Sequence, residues 1–202
     1  MSRPQNPFPS QRASYTWLVQ RRISNVGLLW NKASDAWLGI PAFTAKDRKA
    51  SFAELVAQNL LIEVIVEGLT VPLYLLTKDQ HFLDAVLTTE HFKPRLEFIA
   101  PLDPLLWDRQ LVRELFDFDY KWEIYTPVNQ RRFGHYVLPI LYGTQFIGRI
   151  ELKNKRQEGH LELTNYWLEA GINLTAALKG ELNSTLKQMA EFNGCLTWDS
   201  FN

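Results

Sequence analysis

The sequence predicts an α+β fold in which a winged-helix module is followed by a small antiparallel β-barrel or sheet, closed by a C-terminal helix. Three helical patterns occupy the first 60 residues, and apolar runs on both sides of Glu67-Gly68 follow them, which is the element order of a winged helix. Beyond residue 120, β-branched and aromatic runs alternate with turn residues, as is typical of an antiparallel sheet or barrel. An apolar stripe at helical spacing in residues 174–192 predicts the closing helix.

The winged-helix module is expected at residues 14–90, after an extended, proline-rich lead-in at residues 1–13. Its predicted elements are, in order, helices at 14–29, 33–38 and 44–59, the first capped by Ser14 and the third by Thr44, a hairpin at 60–76 and a helix at 77–88. The last of these helices is expected to direct Phe82, Leu83 and Val86 inward, because they recur at helical spacing.

A β-rich domain is expected at residues 91–202. Its predicted elements are a strand at 96–99 ending in a proline-flanked turn, a helix at 109–116, strands at 122–125, 136–142, 146–153 and 159–168, a helix at 174–192 and a last strand at 195–198. Asp103 lies between two prolines, where its side chain can bond its own turn, and Asp108 is placed to cap the helix that follows it. Cys195 is the one cysteine of the sequence and is expected to be a buried structural thiol.

The chain carries no net charge, with 22 Lys/Arg and 22 Asp/Glu, but its charges are unevenly distributed. Residues 1–50 hold eight basic residues against two acidic ones, a net charge of +6, and residues 121–156 hold seven against two, a net charge of +5. Two basic segments in a neutral chain can form one positive face, which favours nucleic acid as a partner with weak electrostatic steering. No apolar run reaches the roughly 18 residues that span a bilayer. The cytoplasm is therefore expected as the compartment, with no membrane partner.

Two stretches carry candidate nucleic-acid contacts, and the first is the polar connection at residues 127–135. It places Arg131, Arg132 and His135 beside Phe133. Guanidinium groups pair with phosphates in two-point fashion, and an aromatic ring can stack on a base. The alternative is a solvated hairpin whose arginines keep a sheet edge from aggregating.

The second stretch lies in the first turns of the third predicted helix, which carry Lys46, Arg48 and Lys49. Cations at a helix N-terminus oppose the macrodipole, and a phosphate nearby would relieve that opposition. The alternative is that Asp47 and solvent suffice and that this module serves packing alone. Lys153, in the later basic segment, completes the set of candidate DNA contacts.

Three ordered blocks, PLDPLLWDR at 101–109, FDYKWEIYTP at 118–127 and RRFGHYVLP at 131–139, resemble the AlkZ/YcaQ family of bacterial winged-helix DNA glycosylases. The members of this family are repair enzymes that remove bulky alkylated purines and unhook interstrand crosslinks. The family's full chain has tandem winged-helix modules followed by a β-barrel, and the resemblance implies that this chain corresponds to the last winged helix and the barrel. Gln130 stands where the family typically has lysine, which removes one charge from the expected contact loop.

The family's catalytic signature, a glutamine and an apolar residue followed by a second glutamine or an aspartate, has no counterpart in this sequence. The resemblance therefore implies double-stranded DNA as the partner and identifies no catalytic residue. No Gly-rich phosphate loop or metal-ligand spacing is visible, so no cofactor and no metal is expected. We expect the DNA-binding portion, or a shortened relative, of a repair glycosylase that acts on bulky alkylated bases or crosslinks. The alternative is a non-enzymatic winged-helix regulatory or interaction protein. Such regulators usually dimerise to read paired half-sites, and the sequence does not fix the oligomeric state.

Overall fold

The computed structural model describes residues 7–201, which divide into two compact units. The first unit contains the chain up to His91 together with Trp107–Leu115, and the second contains Phe92–Leu106 and the chain from Phe116 onward. Helices and sheets occur in both units, so the predicted α+β class is confirmed. Part of the predicted lead-in, residues 1–6, lies outside the described residues.

Helix α1 (Gln11–Val26) begins four residues before the predicted start. Ser10, rather than Ser14, is its N-cap, because the Ser10 hydroxyl accepts a hydrogen bond from the Ala13 amide at 3.1 Å. The helix ends before Gly27, whose amide still donates to the Ile23 carbonyl and whose φ of 96° turns the chain out of the helix. The helix predicted at 33–38 is a single 3-10 turn, Asp35–Trp37.

Helix α2 (Ala45–Ala57) is capped by Thr44 as predicted, and Asp47 completes a reciprocal capping box with that threonine. A three-stranded antiparallel sheet accompanies the two helices. Its strands are β1 (Leu29–Trp30), β2 (Leu61–Val64) and β3 (Leu73–Leu76), in the order β1-β3-β2. The predicted hairpin is thus confirmed, and the core of the unit lies between its sheet and the two helices, around Val19, Trp30 and Phe52.

Helix α3 (Gln80–Thr88) forms where the sequence predicts a helix, but the predicted burial of its apolar face is wrong. Phe82 is 63% exposed and Val86 72% exposed, and Leu83 is only half-buried. The spacing of these side chains gathers them on one helix face, but no other element of the described chain covers that face.

A second short helix of the first unit, α4 (Arg109–Phe116), has the predicted bounds. Asp108 caps it, as expected, by accepting a hydrogen bond from the Leu111 amide at 3.1 Å. Its second carboxylate oxygen accepts the indole N–H of the buried Trp30 at 2.8 Å. This buried carboxylate therefore fixes the chain at residues 107–109 against β1.

The second unit is built on a curled, half-barrel sheet of five strands in the order β4-β5-β6-β7-β8. These strands are β4 (Leu96–Phe98), β5 (Val137–Tyr142), β6 (Gln145–Lys155), β7 (His160–Leu168) and β8 (Thr197–Trp198). Helix α5 (Ala176–Phe192), capped by Thr175, packs Leu178, Leu182 and Leu186 against the apolar face of this sheet. Cys195 is buried beside the end of this helix, as predicted.

The strand predicted at residues 122–125 is wrong. This segment makes a turn in which the Thr126 amide donates to the Glu123 carbonyl at 2.9 Å. The physical reason is that residues 122–125 have no strand partner in either sheet, and the segment is held instead by the buried Glu123 carboxylate, which binds backbone amides of a later loop. Among residues 7–201, no helix is both long and apolar enough to cross a bilayer.

Candidate nucleic-acid interface

The predicted contact loop, residues 127–135, is held in place by one buried carboxylate. Glu123 is 7% exposed, and its two oxygens accept hydrogen bonds from the amides of Arg132 at 2.9 Å, Phe133 at 2.9 Å and Gly134 at 3.3 Å. Burial on its own would raise the pKa of Glu123, but these three amide hydrogen bonds outweigh it, and the pKa lies below its ordinary value. Glu123 is therefore an ionised anchor for the loop at neutral pH.

A second carboxylate binds the next backbone amide of the loop. Glu151 on β6 accepts a hydrogen bond from the His135 amide at 3.1 Å. It also packs against Gly134, because a Cβ built on that residue would lie 2.4 Å from a Glu151 oxygen. Gly134 thus leaves room for the carboxylate, which a Cβ there would displace, and four consecutive backbone amides of the loop are bound by two glutamates.

The side chain of Phe133 anchors the loop from the other direction. The guanidinium carbon of Arg149 lies 4.4 Å from the Phe133 ring centroid and 4.2 Å from that of Phe118, so the cation is held between two rings. Arg149 is buried, and it pairs with Glu169 and donates to the Asp119 carbonyl. Burial lowers the pKa of Arg149, which Glu169 partly offsets. The loop therefore rests on a packed ion pair rather than on solvent.

The predicted contact residues of this unit differ in exposure and in whether their side chains already have partners. Arg132 is exposed, with its guanidinium carbon 4.9 Å from the Phe133 ring, and it forms no ion pair within residues 7–201. His135 and Lys153 are also exposed, and Lys153 lies two positions past Glu151 on β6. Arg131 is half-buried and donates to the Thr126 carbonyl at 2.9 Å, so its guanidinium already supports the turn.

The predicted contact residues of α2 also differ in exposure. Lys46 and Lys49 are exposed, and neither has a hydrogen-bond or ion-pair partner in the described part of the chain. Arg48 is 8% exposed and donates to the Asn31 side chain at 3.2 Å. Its burial, which lowers its pKa, argues against the predicted DNA contact and assigns it to the core of the first unit.

Asp47 balances the two exposed lysines at the start of α2. Its carboxylate accepts hydrogen bonds from the Thr44 hydroxyl, at 2.5 Å, and from the Thr44 amide, at 3.0 Å, and these bonds lower its pKa. The helix terminus is therefore satisfied without an external anion, and a phosphate would bind through the lysine side chains.

The remaining carboxylates of the three sequence blocks have structural partners. Asp103 accepts a hydrogen bond from the Leu105 amide at 2.9 Å, as the sequence predicts. Across residues 7–201, no cluster of three or more His, Cys, Asp or Glu could hold a metal ion.

The sequence analysis missed the anchoring of the loop by Glu123, Glu151 and Arg149. The one local signal was Gly134, because a glycine inside a polar connection allows another group to approach the backbone closely.

Comparison with known proteins adds one match. The model of a family described as DNA glycosylase AlkZ-like matches residues 2–192. This match includes all seven predicted contact residues and extends over both units. No solved structure matches the chain.

Proposed function

The chain belongs to the AlkZ-like DNA glycosylase family, and we propose that it binds double-stranded DNA through its exposed cations and does not by itself excise a base. The contact residues are Arg132, His135 and Lys153 in the second unit, and Lys46 and Lys49 in the first. Arg131 acts by holding the turn, and Arg48 is left out because it is buried.

The first unit acts, in this proposal, as a winged helix. The order α1, β1, a 3-10 turn, α2 and the hairpin β2-β3 supports this, as does the sheet order, in which the short β1 pairs with β3. In winged-helix and helix-turn-helix proteins the helix before the hairpin enters the major groove. Helix α2 stands in that position, and its exposed N-terminal lysines would reach phosphates at the groove edge.

The observation that carries the proposal is the fixed loop of the second unit. A cation contributes most to phosphate binding when its backbone is already ordered, because no ordering entropy is lost on association. Arg132 meets this condition, since both its own amide and the next are bound by a buried carboxylate and its side chain is exposed. The loop thus presents a guanidinium from a rigid support.

Base excision is proposed to be absent because the family's glutamine signature has no counterpart in the sequence. The carboxylates that hold the loop, the buried Glu123 and the half-buried Glu151, accept backbone hydrogen bonds, so they are poorly suited to activating water. We infer a DNA-binding module of a repair protein, and the chemistry of excision requires groups that this chain does not offer.

The experiment that tests this function is fluorescence anisotropy with a 20-base-pair duplex at several salt concentrations. We expect a dissociation constant of about 1–100 μM near physiological salt, as for non-specific binders. The double variant Arg132→Gln/Lys153→Gln should bind several-fold more weakly. Its slope of log K against log salt should fall in magnitude by about 1.8, because each phosphate contact contributes about 0.9.

The matched control removes two charges elsewhere. Lys93 and Lys187 are exposed lysines of the same unit, outside the proposed surface, so Lys93→Gln/Lys187→Gln should keep the wild-type slope. Equal slopes for the two double variants would refute the surface. Release of an alkylated base from damaged duplex by the purified chain would refute the absence of excision.

A further inference from the structure

A groove of about 730 Å³ lies on the first unit, and none of the cations assigned above to duplex DNA lines it. It runs along one side of α1, and its lining includes Trp17, Arg21 and Arg22 from that helix together with Lys78 and Trp107. Its volume falls within the range of about 300–1,000 Å³ that is usual for small-ligand sites.

Two tryptophans give the groove flat apolar walls. Trp17 and Trp107 are each 42% exposed, which is unusual for so large an apolar side chain. A guanidinium lies over each indole, with the Arg21 carbon 5.3 Å from the Trp17 ring and the Arg22 carbon 4.4 Å from the Trp107 ring. Indole and guanidinium planes are the two protein surfaces on which unpaired bases stack.

The groove is also cationic. Its lining contains three basic side chains and no carboxylate, although the exposed Lys78 lies 3.9 Å from Asp79 just outside it. Arg22 donates through Nη2 to the Leu38 carbonyl at 2.9 Å, while its Nη1 is buried and has no hydrogen-bond partner among residues 7–201. Buried donors nearly always have a partner, so this guanidinium keeps one donor that the described residues leave unsatisfied.

Contacts made by the next two residues of the chain fix the position of Trp107. Asp108, the next residue, is 1% exposed and binds both the Trp30 indole and the Leu111 amide. Arg109 then pairs with Asp35 at 2.6 Å. The indole wall is therefore pre-organised, and ligand binding needs no ordering of the chain around it.

We propose that this groove binds an unpaired nucleotide of single-stranded DNA, with its base against Trp17 and its phosphate against Arg21 and Arg22. A base buried in a duplex offers no face to these walls, so duplex phosphates alone would leave both indoles unused. The choice of DNA over other anionic aromatic ligands rests on the proposed function, since it takes nucleic acid to be the partner.

The test compares two oligonucleotides of eight nucleotides that carry the same phosphates: oligothymidylate, and an abasic strand without bases. The wild-type chain should bind oligothymidylate about tenfold more tightly than the abasic strand, because stacking contributes about 1–3 kcal/mol per base and 1.4 kcal/mol is tenfold. Tryptophan fluorescence should be quenched by oligothymidylate alone. Equal affinities for the two strands would overturn the proposal.

Variants separate the groove from the duplex surface. Trp17→Ala should lower oligothymidylate affinity about tenfold and change duplex affinity less than twofold, and Trp17→Phe should restore part of it. Arg21→Gln should weaken both oligonucleotides equally, because it removes a phosphate contact alone. Lys46→Gln/Lys49→Gln should weaken duplex binding without affecting oligothymidylate.

Each outcome distinguishes the two proposals. Loss of oligothymidylate binding in Trp17→Ala, in a chain that never binds duplex, would leave the groove standing and refute the proposed function. Unchanged oligothymidylate binding in both Trp17→Ala and Arg21→Gln would refute the groove, whatever the duplex result. Binding of a folded protein partner that Trp17→Ala abolishes, with no oligothymidylate binding, would also overturn it.

Discussion

Replacing Glu123 by glutamine tests whether one carboxylate organises the contact loop. Its two oxygens take three backbone amides at 2.9, 2.9 and 3.3 Å. Glutamine keeps a single acceptor oxygen, so it can serve either Arg132 or the pair Phe133 and Gly134, and its amide group then faces the remaining N–H. The first choice loses two bonds and the second loses one, and the bonds that remain become neutral.

The magnitude follows from these bonds. Hydrogen bonds to a charged group contribute about 1.5–3 kcal/mol each, against about 1 kcal/mol for neutral ones. Losing one bond and weakening two should lower the free energy of unfolding of the second unit by about 3 kcal/mol. Glu181, exposed on α5 and without a side-chain partner among residues 7–201, provides the matched control. Glu181→Gln should change the stability by less than about 0.5 kcal/mol.

The assay is urea unfolding followed by tryptophan fluorescence, with amide hydrogen exchange as a local readout. Exchange of the amides of Arg132, Phe133 and Gly134 should accelerate in Glu123→Gln and stay unchanged in Glu181→Gln. Equal unfolding midpoints for the two variants, or undiminished protection of the three amides, would refute the anchoring role.

The effect of Glu123→Gln on stability should depend on pH. The pKa of Glu123 is lower in the folded chain than its ordinary value of 4.5, so its contribution is complete above that value. The contribution is lost as the pH falls below 4.5 and through the lowered pKa of the folded state. The stability difference between wild type and Glu123→Gln should therefore be constant above about pH 5 and shrink on acidification.

Two further substitutions test neighbouring features. Gly134→Ala places a Cβ 2.4 Å from a Glu151 carboxylate oxygen, so it should displace that side chain, lower the urea midpoint and weaken duplex binding in the same anisotropy assay. Arg48→Met should destabilise the first unit by about 1–2 kcal/mol, because it leaves the Asn31 oxygen without its donor. Lys49→Met, on the exposed side of the same turn, should leave stability unchanged and weaken duplex binding instead.

Most of the correctly predicted elements depend on local signals in the sequence. The Thr44 cap, the α4 bounds and the apolar stripe of α5 each depend on residues within one or two turns, and each is confirmed. The start of α1 is an exception, because the sequence analysis predicts Ser14 as its cap. The structure uses Ser10, and Phe8 before it packs on Trp17 with ring centroids 5.2 Å apart.

The failures have a common cause in long-range partners. Residues 122–125 have strand-forming side chains, but a contact nine to eleven positions away turns them into an anchor for the loop. The periodicity of α3 correctly gives a helix, but periodicity says nothing about whether another element covers the apolar face. Arg48 and Lys49 are adjacent cations in sequence, and only packing separates the buried one from the exposed one.

Under the proposed function, the two glutamates also limit which groups of the loop can bind DNA. A turn with several free backbone amides is a common phosphate site, since the N–H groups converge on an anion. Here the amides of residues 132–135 are already bound by Glu123 and Glu151, so these four N–H groups are not available to an anion. A phosphate can then bind only through side chains, and the nearby carboxylates reduce the local positive potential. Binding at this loop should accordingly be weak, with Arg132 making the main contribution. Its orientation in turn depends on Phe133 packing over Arg149.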